Sequence, residues 1–189
     1  MARVSPSYNQ ILDDKVSDLE LGAFCIAMRV KGETPEEMAG FYDAVQSRIH
    51  KVSANGAPLV VIPSYNGARK MPVLTPLLAL KLAQHGVGVI IHSNQTEAKR
   101  ISAMSVLAHL DVWAQAQFEA PAAGQVALVH TSQLHKGLDR LLRVRETLAL
   151  RNSGHSLVKL LAPTHQPSLL VTSYTHPEYL HSMTETLKL

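Results

Sequence analysis

Apolar positions recur at helical spacing through the first fifty residues. From residue 58 they gather into short continuous runs separated by further helical patterns. Between Val16 and about Val30, the residues Leu19, Ala23, Ile26, Ala27 and Val30 fall on one face, predicting a helix with a buried stripe. Lys31-Gly32 ends it, with a cation at the C-terminal turn and glycine just past it. A second helix opens at Thr34-Pro35-Glu36-Glu37, where Thr34 caps, Pro35 suits the first helical position and Glu37 completes a capping box. Met38, Phe41, Tyr42, Val45 and Ile49 supply its apolar face. Further on, Leu59–Ile62 precedes a helix over 75–85 that Gly86 stops, and Val87–His92 precedes a helix over 96–109. Val126–His130 precedes a helix over 136–149, and Leu169–Ser173 precedes a final helix from about Pro177. Strands alternating with helices predict an α/β fold: an N-terminal helical subdomain over 1–57, then a mostly parallel sheet over 58–189 with helices on its faces. Thr186-Leu187-Lys188-Leu189 carries no cap, so the α/β domain reads as incomplete at its C-terminus.

With 189 residues, 46% hydrophobic and 17% charged, the chain is expected to be globular rather than disordered. Met1–Pro6 has no apolar core of a signal peptide, and no apolar run approaches the ~18 residues of a membrane span. A cytoplasmic protein with no membrane partner is the expectation. Cys25, the single cysteine, rules out an internal disulfide framework; in Leu21–Met28 it reads as a small buried hydrophobe rather than a nucleophile. His130 and His135, like His176 and His181, lie five apart, which does not put two imidazoles on one helix face, and no metal site is expected.

Charge is unevenly spread. Residues 1–49 carry five Lys/Arg against eight Asp/Glu, whereas residues 50–160 carry twelve against five. A basic middle region points to phosphates as partners. Within it, Pro63-Ser64-Tyr65-Asn66-Gly67-Ala68-Arg69-Lys70 joins the run ending at Ile62 to the helix starting near Thr75. A strand, a polar loop and a helix N-terminus form a usual geometry for holding a phosphate. Yet the loop has one glycine where a tight phosphate cradle needs several, and an ordinary surface turn with scattered charge is the competing reading. Lys99 and Arg100 fall early in their helix. Lys136, Arg140 and Arg143 fall at i, i+4 and i+7, either a solvated face or a phosphate-tracking stripe. Aromatics at 5% give no base-stacking platform, so any nucleic-acid binding should be backbone-driven, sequence-indifferent and salt-sensitive.

The stretch Asp18–Gly40, with Met28-Arg29-Val30-Lys31-Gly32-Glu33-Thr34-Pro35-Glu36-Glu37 at its centre, closely resembles the N-terminal helical segment of the anthranilate phosphoribosyltransferase-like family. Val144–Asn152 followed by Leu160-Leu161-Ala162-Pro163 resembles that family's stretch from its substrate-contacting Arg to a Gly-Pro-Leu-Leu-Asn-Pro turn. The resemblance covers nearly the whole chain from about residue 16 and corresponds to the family's N-terminal portion. It implies a helical domain joined to an α/β domain, with phosphoribosyl pyrophosphate and Mg²⁺ bound, and a homodimer made through the N-terminal helices.

Departures from the family pattern are concentrated where chemistry would occur. The family's Gly-Thr-Gly-Gly-Asp is Pro63-Ser64-Tyr65-Asn66-Gly67 here, and its Asn-Ile-Ser-Thr is Val73-Leu74-Thr75-Pro76, which keeps only the Thr75 hydroxyl. Its Lys-His-Gly-Asn-Arg is Ile91-His92-Ser93-Asn94-Gln95, which keeps His92 and Asn94 and loses both cations. Arg151 keeps the position of the Arg that meets the aromatic acid, and the family's metal-holding Asp-Glu pair would fall beyond residue 189. The pattern resembles a paralogue group for which nucleic-acid binding through a basic groove has been put forward in place of transfer. The expectation is a lapsed transferase with no cofactor. It would bind nucleic acid or another phosphorylated ligand through Ser64, Asn66, Gly67, Arg69, Lys70, Thr75, His92, Asn94, Lys99, Arg100, Lys136, Arg140, Arg143 and Arg151. The alternative is a transferase using phosphoribosyl pyrophosphate and Mg²⁺ on an unidentified acceptor.

Overall fold

A computed structural model describes residues 6–54, 56, 58–95 and 99–189. The chain divides into two compact units. One comprises residues 1–49, 135–161 and 173–189; the other comprises 50–134 and 162–172. The expected boundary near residue 57 therefore captures only the first crossing. Helices beyond residue 134, read from the sequence as part of the α/β domain, belong to the helical unit.

The helical unit contains α1 (Pro6–Leu12), α2 (Asp18–Lys31), α3 (Pro35–Gln46), α7 (Lys136–Leu148), α8 (Gly154–Leu157) and α9 (Pro177–Lys188), with a 3₁₀ turn over Val158–Leu160. Capping fixes two of these starts. Ser17 and Glu20 exchange bonds at 2.8 and 3.3 Å before α2, and Thr34 and Glu37 do the same at 3.1 and 3.3 Å before α3. Gly32 follows α2 at φ +78°, as its role past a helix end requires. Tyr8 of α1, which the hydrophobic pattern did not reveal, stacks on Phe41 at 4.0 Å between ring centroids, with Phe24 edge-on to Phe41 and tilted against Tyr8. Leu138, Leu141 and Leu142 of α7, with Leu157 of α8, are fully buried.

The expected buried stripe of α2 faces the other way. Leu21, Cys25 and Met28 enter the core, while Leu19 and Val30 are 84% and 83% exposed. Two apolar stripes share this helix, and packing against the aromatic trio selects the one that holds Cys25. The cysteine is buried and free, and burial raises its thiol pKa, so it behaves as a small hydrophobe.

The sheet unit contains β1 (Leu59–Pro63), α4 (Thr75–Gln84), β2 (Gly88–Ser93), α5 (Ala103–Ala108), β3 (Val126–His130), α6 (Thr131–Leu134) and β4 (Leu169–Leu170). Strand order is β3-β2-β1-β4, and every pair is parallel. Alternate residues feed two cores, as a sheet buried on both faces demands. Val60, Ile62, Val89 and Ile91 pack with Ala79 of α4 and Leu107 of α5. Leu59, Val61, Ile90 and Val129 pack with Val52 and Phe118 on the opposite face. The helix expected over 96–109 is α5. Residues 96–98 lie outside the described residues, and helix begins only at Ala103, where Ser102 caps the Ser105 amide at 3.1 Å. Lys99 and Arg100 thus precede the helix instead of opening it.

Candidate anion-binding site

Strands β1, β2 and β3 run outward from β1 to one side, whereas β4 returns to its other side. The order therefore reverses at β1/β4, the position where open α/β sheets bind ligands beyond the C-terminal strand ends. The loop from Ser64 to Leu74 leaves β1 at that point. It is eleven residues long, so α4 does not follow the strand in a tight phosphate-type turn. The start of α4 nevertheless returns to the strand end, with the Ser64 and Thr75 hydroxyls 3.4 Å apart. Leu74, at the cap position of α4, makes no side-chain cap bond, and Pro76 follows within the first turn.

What fills the space is side chain and backbone of the protein itself. Tyr65 stands where the resemblance has a glycine, and its ring lies edge-on to His92 at 5.5 Å. Its hydroxyl is 2.7 Å from His92 Nδ1 and 3.0 Å from Thr131 Oγ1. Thr131 donates to the Ser93 carbonyl at 3.1 Å, and the Ser93 hydroxyl donates to the Ser64 carbonyl. This buried network joins β1, β2 and the start of α6.

Gly67 is closed from the other side. Ala68 and Ile101 exchange backbone bonds at 3.0 and 2.8 Å, and the Arg100 guanidinium donates to the Gly67 carbonyl at 3.0 Å. A Cβ at Gly67 would lie 2.7 Å from Arg100 Cβ and 2.9 Å from the Ile101 carbonyl oxygen. Glycine is needed here for a close approach of chain to chain, not of chain to phosphate. Between Ser64, Tyr65, Asn94, Arg100 and Ser102 remains a cavity of about 10 Å³, at the lower limit for one water. The buried Asn94 Nδ2 has no protein partner.

Sequence-expected residues therefore separate into groups. Ser64, Gly67, Asn94 and Arg100 meet around this small cavity, with Thr75 and His92 beside it. Arg69, Lys70 and Lys99 are exposed and Asn66 is partly so. Lys136, Arg140, Arg143 and Arg151 belong to the helical unit. Of the two readings of the Lys136, Arg140 and Arg143 face, a solvated face or a phosphate-tracking stripe, Arg140 fits neither. It pairs with Asp14 and Asp18, the latter at 2.7 Å, and donates to the Val16 carbonyl at 3.0 Å. The acidic N-terminal segment thus neutralises the cation that the linear charge count left over. Arg143 lies 3.5 Å from Glu146, while Lys136 is exposed. The sequence reading did not assign roles to Tyr65, Ser93 and Thr131. The available signal was Tyr65, a bulky ring at a position where the resemblance has glycine.

No three His, Cys, Asp or Glu side chains come together as a metal site among the described residues. Among the described residues, no helix is long and apolar enough to cross a membrane.

A parallel sheet with a reversal of strand order, polar loops at that reversal and a separate helical unit define an α/β protein of two units. Residues 7–49 match the helical bundle domain of the glycosyl transferase family. The uncharacterized protein YbiB of Escherichia coli (strain K12) is 36% identical over 183 residues, covering 92% of this chain and 56% of that protein. The anthranilate phosphoribosyltransferase of Erwinia tasmaniensis is 26% identical over 187 residues, covering 96% and 56%. The solved anthranilate phosphoribosyltransferase from Thermus thermophilus shares the fold, with a TM-score of 0.76 over 99% of this chain and 60% of that one at 23% identity. The chain is similar to the anthranilate phosphoribosyltransferases in sequence and fold and spans about half the length of the curated relatives it matches.

Proposed function

We propose that this protein keeps the transferase scaffold without the transfer reaction. It holds nucleic acid or another phosphate-rich ligand through exposed cations, without reading sequence. The observation that carries this reading is the closure of the phosphate loop at Gly67 by Arg100 and Ile101. Phosphoribosyl transfer needs a departing pyrophosphate to be neutralised by backbone N–H groups, cations and metal. Removing one such donor costs on the order of 10²–10³ in rate; here the glycine-rich backbone is replaced by a phenol network. The exposed Arg69, Lys70 and Lys99 of the sheet unit remain available to phosphates.

The test pairs an activity with a binding measurement. Incubation with phosphoribosyl pyrophosphate, Mg²⁺ and anthranilate should release no pyrophosphate above background. A labelled oligonucleotide should be retained, and the triple variant Arg69→Gln/Lys70→Gln/Lys99→Gln should bind it at least about tenfold more weakly. Release above background supports the alternative enzyme reading and overturns this one, as does unchanged binding by the triple variant.

The exposed stripe of α2 belongs to the same proposal. Leu19, Ile26 and Val30 are large apolar residues left in solvent on one helix face, which marks an interface. A second copy of the chain is the occupant we propose, through an isologous helix contact. Leu19→Glu/Val30→Glu should sediment as a monomer where the unmodified protein sediments as a dimer. A monomeric unmodified protein contradicts it.

A further inference from the structure

Positive charge collects in a second place, inside the helical unit. There the C-terminal end of α2, α8 with its following 3₁₀ turn, and α9 enclose a cavity of about 120 Å³ lined by Arg29, Glu33, His155, Ser156, Lys159 and Tyr179. Arg151 also lines it. Cofactor and drug-sized ligands occupy ~300–1,000 Å³, so this cavity fits a small ion or one functional group.

Its chemistry is that of an oxyanion site. Three cations, Arg29, Arg151 and Lys159, surround it against one carboxylate, Glu33. Lys159 is half-buried, and burial together with the neighbouring Arg151 lowers its pKa. Two like charges brought together in a partly desolvated wall are stabilised when an anion lies between them. Glu33 is itself held above the usual carboxylate range by burial, with Arg29 and Lys31 acting against that shift.

An independent observation comes from His155, which is 7% exposed. Its Nδ1 is engaged by Asn152, 3.3 Å from the backbone nitrogen and 3.1 Å from Oδ1. The Asn152 amide is fixed in turn, donating to the Leu141 carbonyl at 2.7 Å and accepting from the Gly154 amide at 3.1 Å. His155 Nε2 is buried with no partner. A buried polar atom without a partner is rare and marks a group that is missing. With Nδ1 accepting from the Asn152 backbone N–H, Nε2 carries the ring proton and would donate a hydrogen bond to an oxyanion.

The geometry points to a phosphate dianion in this cavity, either inorganic phosphate or the terminal phosphate of a small metabolite. His155, Lys159 and Arg151 supply charge-assisted donors, and the Ser156 and Tyr179 hydroxyls complete the shell. A tetrahedral group with several oxygens suits donors arriving from α2 (Arg29), from residues 151–159 and from α9 (Tyr179) better than a planar carboxylate does. This site is separate from the loop beyond β1 and does not rest on the nucleic-acid reading.

The experiment titrates the full chain with inorganic phosphate and with glycerol 3-phosphate, following the unfolding temperature and the heat of binding at neutral pH, with benzoate as the carboxylate control. Saturable binding of either phosphate compound is expected, and the compound that binds more tightly identifies the source. Lys159→Gln and Ser156→Ala should each weaken it, the first by roughly tenfold to a hundredfold, while the Arg69/Lys70/Lys99 variant binds phosphate normally. Three results would overturn the assignment: no saturable binding of either phosphate, equal binding by Lys159→Gln, or benzoate binding as tightly as phosphate.

Discussion

Replacing Gly137 with alanine is expected to destabilise the helical unit by about 3 kcal/mol, at the upper end of ordinary overpacking. Gly137 opens α7 where that helix meets α1, and a Cβ there would lie 2.1 Å from the Leu12 carbonyl oxygen and 2.8 Å from its carbon. Both obstacles are backbone, so no rotamer change relieves them and the two helices must separate. Gly22 provides the contrast. It is also helical, in α2, but an added Cβ meets nothing within 4 Å. Gly22→Ala should therefore gain roughly the 1 kcal/mol by which alanine exceeds glycine inside a helix. Thermal unfolding checks both: the first substitution should lower the midpoint by roughly 10 °C and the second should raise it. Equal effects would mean that α7 does not approach α1 this closely.

Acid should loosen the helical unit well before its carboxylates titrate. Burial, with Arg145 and Arg151 nearby, lowers the His155 pKa to about 4. The unfolded imidazole titrates at about 6.5. Between those values the unfolded chain binds a proton that the folded one refuses, so stability is full above pH 6.5 and falls as pH drops toward 4. The loss from this group reaches about 2 kcal/mol by pH 5. His135, lowered by burial and then by Arg48, adds in the same direction. Glu33, raised by burial, opposes it slightly at the acid end of the window. Unfolding measured at pH 7 and pH 5 should show the drop, and His155→Gln should flatten it while lowering stability at both. A slope unchanged by that substitution would show that the imidazole is not the group responsible.

Local signals in the sequence were sound where the physics is local. Thr34, Pro35 and Glu37 announced the start of α3, and the apolar runs before residues 63, 93 and 130 became parallel strands. Non-local choices were not legible. Which stripe of α2 is buried depends on Tyr8 and Phe41 packing against it. Arg140 could not be recognised as a clamp, because its carboxylate partners Asp14 and Asp18 lie 126 and 122 residues away. The assignment of α7 to the helical unit likewise depends on contacts, such as Gly137 against Leu12, that no spacing rule anticipates.

For the loop beyond β1, the sequence offered a strand–loop–helix junction with a single glycine, and the structure supplies what occupies the space. The Tyr65 ring reaches His92 and Thr131, and Arg100 reaches back to Gly67. Both are side-chain trajectories that a motif comparison does not contain.

Titration of a labelled single-stranded oligonucleotide at two salt concentrations tests most directly whether exposed charge has taken over from chemistry. With three phosphate contacts, from Arg69, Lys70 and Lys99, log affinity should fall with a slope of about −2 against log salt, or about twentyfold between roughly 50 and 200 mM. Affinity that does not change over that range, or no retention of the oligonucleotide at the lower salt, would contradict the account.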